Sequence, residues 1–368
     1  MGRRPQIVDK GRSKLSQDFR SLGKPLDEKY EGTRIDAHLA RHYPFLSRAG
    51  WQKRLGDGMV RVGQATVHAA YKLREGDTIS HFHPEANEPE VDFELFPYWY
   101  DRGILAVYKP SNLPMHEGGR YRAKTFCEQL KRQIGPGWAA VHRLDRDTSG
   151  LVLCARDPEI REELSAELRR RTLKKTYFAI AKGKAPAERW LEDRPLGVIT
   201  ETTWRDKRWV VGPGCGLPSE TEFQVIDTSG AYTLLKIFPR TGRTHQIRIH
   251  AAASGLPLVG DTRYQEDESI FLEYMERGYT PRIVKAIGTD RLCLHAAGVS
   301  FMHPVSGERA SVSIPMPSDM ERIWSFLKSG VKLSEVEERE KLSRSFLNQF
   351  SLSPKTNGVF SDAFLNDL

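Results

Sequence analysis

The apolar runs of this chain are short, and their length restricts the possible folds more than any other feature. The longest, such as residues 104–108 (ILAVY) and 151–155 (LVLCA), have the length of buried β-strands. They are too short to cross a bilayer as helices, and the basic N-terminus has no apolar signal-peptide core. We therefore expect no membrane association and a cytoplasmic protein.

Strand-like segments outnumber helical ones. We expect strands at residues 104–108, 151–154, 177–181, 221–226, 232–238 and 245–250. Residues 158–171 predict a helix, because Asp157 can cap it and Pro158 suits its first turn. The irregular spacing of these segments predicts an α+β fold with a large mixed, mainly antiparallel sheet and flanking helices.

The length of 368 residues and the changes in composition predict two domains with two tails. Before the first domain we expect a basic flexible arm at residues 1–31. Residues 32–83 read as a small α+β module, and residues 84–92 as a proline-rich, acidic linker. Residues 93–328 form the larger domain, and residues 329–368 a C-terminal tail of unknown role.

The composition favours an anionic partner and a reducing compartment. Lys and Arg exceed Asp and Glu by 56 to 48, a formal net charge of +8, and phosphate backbones are common partners of such proteins. The four cysteines are far apart and form no C-x-x-C pair, so neither a zinc site nor a disulfide framework is indicated. The histidines also lack the spacing of metal ligands.

The densest cluster of reactive side chains is HRLDRDTSG at residues 142–150, immediately before an apolar strand. Loops held by a rigid sheet often carry catalytic groups, and Asp145 is the candidate here. Taken alone, Asp145 could equally be a turn or salt-bridge aspartate. Asp147 and the Thr148-Ser149 pair suit the turn itself.

A second cluster, PRTGRTHQIRIH, covers residues 239–250. Read as a strand, its alternation puts Ile247 and Ile249 on one face and Arg248 on the other. The charge of a mid-strand arginine must be satisfied by water or by a carboxylate. If Asp145 lies opposite Arg248, the ion pair between them would keep Asp145 ionised. An ordinary exposed arginine is an equally good interpretation.

A third candidate is Tyr177, which follows the basic residues 169–175. A tyrosine at a strand start commonly packs in the core. Alternatively, its ring could stack on an extruded base while neighbouring cations bind phosphate. The glycine-rich residues 212–216 are not a nucleotide loop, because no helix pattern follows them.

Together these segments resemble a known family. H-R-L-D-x-x-T-S-G at 142–150, K-x-Y at 175–177 and T-G-R-T-H-Q-I-R-I-H at 241–250 closely resemble the three motifs of RluA-type RNA pseudouridine synthases, in the same order. Residues 255–264 and 292–317 are also similar, so the match covers about residues 90–325. The resemblance implies the pseudouridine synthase fold and conversion of uridine to pseudouridine in structured RNA. It does not choose between ribosomal and transfer RNA, and the presence of an N-terminal module favours ribosomal RNA. Because isomerisation gains and loses nothing overall, we expect no metal, nucleotide or other cofactor, and we expect a monomer.

The resemblance also implies roles for individual residues. Asp145 would be the catalytic aspartate, Tyr177 the residue stacked against the uracil, and Arg248 the ion-pair partner of Asp145. We expect RNA contacts from seven further basic residues: Arg143, Lys175, Arg243, His245, Arg34, Arg48 and Arg170.

Residues 32–83 are similar to the alpha-L RNA-binding module that precedes this type of catalytic domain. The similarity lies in Arg34-Ile35-Asp36, in residues 45–48 (FLSR) and in Gly76-Asp77. One departure concerns the hairpin turn, where Val62-Gly63-Gln64 stands in place of Val-Asn-Gly. This difference puts the geometry of the turn in question.

Two other functions fit parts of the pattern. An RNA-binding or ribosome-assembly protein could keep the same fold without turnover, and it would form no pseudouridine. Hydrolysis of a glycosidic bond would use Asp145 with Asp147 as paired carboxylates and would release free uracil. The sequence shows no sugar platform for that reaction.

Overall fold

The computed structural model describes residues 19–43, 46–82, 88, 91, 95–118, 121–199, 202 and 207–330. Most of the predicted basic arm, Phe45 and nearly all of the predicted C-terminal tail lie outside these residues. The chain divides into two compact units, Met1–Pro89 and Glu90–Leu368. Each has its own hydrophobic core.

The N-terminal unit packs two helices on a small antiparallel sheet. Its elements are β1 (Phe19–Ser21), a 3₁₀ turn (Glu28–Tyr30), α1 (Ile35–His42), α2 (Arg48–Gly56), β2 (Val60–Val62), β3 (Ala65–Thr66) and β4 (Ile79–Phe82). The strand order is β1-β4-β2-β3, so residues 19–21, assigned to the arm from the sequence, pair with β4. Ser47 caps α2 by accepting a hydrogen bond from the Gly50 amide.

The unusual hairpin of this unit closes in two residues. Val62 pairs with Ala65, which leaves Gly63 and Gln64 as the turn. Gly63 has a φ of 57°, a left-handed conformation that glycine adopts without steric cost.

The larger unit is built on one ten-stranded sheet. The strands of this sheet are β5 (Phe96–Asp101), β6 (Ile104–Lys109), β7 (Ala139–Ala140), β8 (Ser149–Ala155), β9 (Lys174–Lys182), β10 (Arg189–Glu192), β13 (Thr221–Ser229), β14 (Tyr232–Pro239), β15 (Leu294–Met302) and β16 (Arg309–Ser313). A separate two-stranded sheet contains β11 (Leu196–Val198) and β12 (Arg208–Val210). The helices are α3 (Phe126–Gln133), α4 (Pro158–Arg170), α5 (Gln246–Ala253), α6 (Ser269–Arg277), α7 (Pro281–Ile287) and α8 (Ser318–Lys328).

The main path through the large sheet runs β10-β13-β14-β9-β15-β8-β6-β5. Among the described strands, β8 and β15 pair in parallel and the other pairs are antiparallel. Helices α4 and α8 add apolar side chains to clusters on the sheet. The predicted large mixed, mainly antiparallel sheet with flanking helices is therefore confirmed. No helix within the described ranges is long and apolar enough to span a bilayer.

One predicted strand is wrong. Residues 246–250 belong to α5, and His245, which precedes the helix as its N-cap, has a left-handed conformation with a φ of 57°. Every residue from 246 to 251 is buried. Alternation therefore did not mark two faces of a strand, because this short helix is enclosed on all sides.

Candidate active site

The three sequence motifs meet in one cleft of about 550 Å³ in the larger unit. The loop before β8 contributes residues 142–145, and the start of β9 contributes Lys175 and Tyr177. Residues 239–248, between β14 and the first turn of α5, complete the wall. The cleft thus joins segments that are about a hundred residues apart in the sequence.

A buried lysine holds the loop that carries Asp145. Lys109, at the end of β6, is fully buried. Its Nζ donates hydrogen bonds to the carbonyl oxygens of Pro110 at 2.8 Å, Leu113 at 2.8 Å and Arg146 at 2.9 Å. Burial lowers the pKa of this amine to about 7. The hydrogen bonds to the three carbonyl oxygens therefore offset the cost of burying the protonated amine. The position of Asp145 consequently depends on a side chain outside the cleft.

Arg248 has a stronger partner than the one expected from the sequence. Its side chain is 2 % exposed, and Nε and Nη2 each donate to one carboxylate oxygen of Asp261 at 2.7 Å. Its Nη1 lies 3.7 Å from Oδ2 of Asp145. Arg248 is therefore anchored by Asp261 in a bidentate pair, which leaves one edge of the guanidinium directed toward Asp145.

Sequence reasoning assigned no role to Asp261. Its carboxylate is buried and also accepts hydrogen bonds from the backbone amides of Arg263 at 2.8 Å and Tyr264 at 3.2 Å. The preceding Gly260 has a φ of 78°, and a Cβ there would lie 1.7 Å from the carbonyl oxygen of Arg291. The Gly-Asp pair after an apolar run was the available signal, since a buried arginine requires a buried carboxylate.

The pKa values of the two aspartates in the loop before β8 are shifted in opposite directions. Burial raises the pKa of Asp145, and the charge of Arg248 offsets part of that rise. Burial also acts on Asp147, but the charges of Arg146 and Arg248 outweigh it and lower the pKa of Asp147. Arg146 Nε donates to Asp147 at 2.8 Å. Asp147 is thus a structural anion, whereas Asp145 is a poorly solvated carboxylate, which is more basic and more nucleophilic than an exposed one.

Tyr177 packs in the core, as one of the two interpretations from the sequence has it, and it also lines the cleft. It is 7 % exposed and belongs to the main apolar cluster. Burial, reinforced by the charge of Asp145, raises the pKa of its phenol well above the usual range. The ring is therefore neutral and held by packing at the cleft wall.

The basic residues predicted to bind RNA fall into two groups. Arg143, Lys175, Arg243 and His245 line the cleft. Burial lowers the pKa of Lys175. Burial, and to a smaller extent the charge of Arg248, lowers the pKa of His245 to about 2, so this side chain is neutral. The Nδ1 of His245 lies 2.8 Å from the Tyr264 hydroxyl.

The other predicted RNA-contacting residues lie outside the cleft. Arg170 is exposed on α4, and its neighbours Arg169 and Arg171 line the cleft instead. In the N-terminal unit, Arg34 and Arg48 both donate to the buried Asp36, at 2.9 and 3.2 Å. Hydrogen bonds from Arg34, Gln52 and Arg48 hold the pKa of Asp36 far below its usual value. These two arginines therefore stabilise their own unit.

In the part of the chain that the structure describes, no group of three or more His, Cys, Asp or Glu side chains is placed to hold a metal ion. The chemistry that the cleft offers is that of a carboxylate, a guanidinium and a phenol.

Comparisons with known proteins identify relatives of this chain. A family model described as RNA pseudouridylate synthase matches residues 103–253. The chain is 32% identical over 312 residues to ribosomal large subunit pseudouridine synthase C of Vibrio parahaemolyticus, covering 81% of this chain and 94% of that protein. It is 30% identical to ribosomal large subunit pseudouridine synthase D of Xanthomonas campestris, covering 81% and 89%. Among solved structures, human RNA pseudouridylate synthase domain containing 1 shares the fold, with a TM-score of 0.50 and 22% identity over 67% of this chain and 99% of that one.

Proposed function

The chain belongs to the RluA-type family of RNA pseudouridine synthases, which are isomerases, and we propose that it isomerises a flipped-out uridine of ribosomal RNA with Asp145 as the catalytic residue. The observation that carries the proposal is the position of the Asp145 carboxylate, which lies 3.7 Å from Arg248 in a cleft that Tyr177 also lines. Twenty per cent of the Asp145 side chain remains exposed, so a substrate can reach it.

The reaction breaks the N1–C1′ bond of uridine, turns the base, and joins C5 to C1′. N1 gains a proton and C5 loses one, so the product has the composition of the substrate. The carboxylate of Asp145 can attack the base or the sugar, or accept a proton from the sugar. Arg248 stabilises the ionised carboxylate in each of these routes, because its guanidinium is already fixed by Asp261.

A uridine in folded RNA is stacked, so it must leave the helix before Asp145 can reach it. The cleft provides the groups that this step requires. Tyr177 offers a neutral ring for the uracil, and the exposed Arg143 together with Lys175 offers positive charge for the adjacent phosphates. These features support base flipping as part of the proposal.

The choice of ribosomal RNA is supported by the relatives, whose names specify the large ribosomal subunit. A small unit precedes the catalytic one, and the formal net charge of +8 suits a long polyanion. Transfer RNA is the alternative substrate, and parallel reactions on both RNAs distinguish the two.

The experiment uses unmodified transcripts of large-subunit ribosomal RNA and of transfer RNA, with carbodiimide treatment and primer extension to map pseudouridine. We expect wild type to modify specific uridines in the ribosomal transcript and Asp145→Asn to modify none while still binding it. Asp290→Asn, which changes an exposed aspartate of the same unit, is the matched control. An active Asp145→Asn variant would remove the catalytic assignment, and release of free uracil would indicate a glycosidase instead.

A further inference from the structure

A second groove continues from the catalytic cleft along the edge of the sheet. We call it the flanking groove; it has a volume of about 690 Å³. It shares five lining residues with the cleft: Arg171, Leu173, Lys175, Pro239 and Arg240. Beyond the cleft it extends over the starts of β9, β10 and β13 and the end of β14, where it is lined by Lys174, Thr176, Arg189, Glu222 and Phe238. An RNA strand that enters the cleft can therefore continue in this groove.

The lining of the flanking groove is strongly positive. It contains five cationic side chains and one carboxylate, Glu222. Glu222 accepts from Arg189 at 3.0 Å and from Arg240 at 3.1 Å. The neighbouring Glu220 accepts from Arg171 at 3.2 Å and lies 3.7 Å from Arg240. Two glutamates thus hold three arginines in a row without neutralising the groove.

These ion pairs lie at the surface. The side chains of Arg171, Arg189 and Arg240 are 46, 61 and 50 % exposed. Ion pairs this exposed contribute little to stability and are screened by salt. A phosphate can therefore compete for the guanidiniums, which the glutamates keep extended along the groove.

The groove also has an aromatic surface. Phe238, at the end of β14, is only partly buried, and the Nζ of Lys236 lies 5.5 Å from the centre of its ring. Cationic side chains beside a partly exposed ring are the combination with which proteins hold unpaired nucleotides, since the ring stacks on a base of any identity.

We propose that the flanking groove binds the unpaired RNA segment adjacent to the target uridine. Its phosphates lie along Lys174 and the three arginines Arg171, Arg240 and Arg189, and one of its bases stacks on Phe238. This inference rests on the proposed function, because the groove opens into the cleft that contains Asp145.

The test uses residues that line the groove but not the cleft. Lys174→Gln, Arg189→Gln and the double variant each remove charge from the groove. The matched control is Lys182→Gln, an exposed lysine of the same strand eight positions later, roughly 26 Å away. The dissociation constant for a short oligouridylate is measured over a range of KCl concentrations with the full chain.

Each lost phosphate contact should lower the slope of log affinity against log salt by about 0.7. We expect that decrease for each single variant, about twice that for the double variant, and none for Lys182→Gln. Variants that keep the wild-type slope would overturn the inference.

Pseudouridine formation in the ribosomal transcript is measured in parallel. A wild-type protein that forms no pseudouridine refutes the proposed function. An active wild type whose groove variants bind like Lys182→Gln refutes only the role of the groove.

Discussion

Replacing Asp261 with asparagine should destabilise the protein far more than the same replacement at Asp145, although both carboxylates face one guanidinium. Asp261 and Arg248 are 0 and 2 % exposed at their side chains and are joined by two hydrogen bonds of 2.7 Å. An asparagine would leave the buried guanidinium of Arg248 poorly compensated. Breaking such a pair on one side costs about 3–5 kcal/mol.

Asp145→Asn has the opposite expectation. Burial raises the folded-state pKa of Asp145, so its ionised form at neutral pH costs stability, and that cost is absent at low pH where the group is protonated. A neutral asparagine removes this cost, and Arg248 keeps its pair with Asp261. We expect Asp145→Asn to be as stable as wild type or more stable, by up to about 1 kcal/mol.

Thermal unfolding at neutral pH, followed by circular dichroism, measures the difference. For a unit of this size, each kcal/mol corresponds to roughly 2–4 °C, so Asp261→Asn should unfold about 6–20 °C below wild type. The pKa of Asp261 is lowered by the charge and hydrogen bonds of Arg248 despite its burial. The difference in melting temperature between wild type and Asp261→Asn should therefore narrow as the pH falls toward that lowered pKa. Equal melting temperatures for Asp261→Asn and Asp145→Asn would refute the unequal roles assigned to the two carboxylates.

Three further outcomes are expected. Because the pKa of Asp145 is raised, the acidic limb of the pH–rate profile should lie above the ordinary aspartate value of about 3.9; a limb at or below that value would contradict the assignment. Lys109→Met removes the donor from three carbonyl oxygens and should cost about 2–4 kcal/mol in urea unfolding, whereas an unchanged midpoint would show that the loop needs no such anchor. Gly260→Ala should cost more than about 2 kcal/mol, because its Cβ would meet the carbonyl oxygen of Arg291. Gly278→Ala, with a similar φ of 73° and nothing within 4 Å, should cost less, and equal losses would rule out the clash.

The meeting of the three motifs was expected from the family resemblance, whereas the residue pattern alone was sufficient to predict the α+β fold and most of the strands around the cleft. These predictions succeeded because strand-length apolar runs, such as the one that became β8, differ clearly from an amphipathic helix such as α4. The segment after Thr244 was assigned wrongly because its buried residues follow one another without a polar face. Neither the hydrophobic period of a helix nor that of a strand is recognisable in such a segment.

The partners of individual charges could not be predicted from the sequence. Arg34 and Arg48 are as basic as Arg143, but they bind the buried Asp36, which is two positions from one and twelve from the other. Asp261 was missed for the same reason, because its partner is thirteen residues earlier and enters through a different element. The pairing of charged side chains depends on tertiary contacts, and the local sequence pattern carries little information about such contacts.

The place of β15 in the sheet has a consequence for biosynthesis. Strands β8 and β9 follow one another in the sequence, yet β15 lies between them, with His295 beside Ser149 and also beside Phe178. A nascent chain therefore carries every motif of the cleft once residue 250 has been made, but it cannot arrange them until residues 294–302 have left the ribosome. Such long-range closure slows folding and prolongs the exposure of apolar strand edges, so none of this chemistry can begin before β15 has been made.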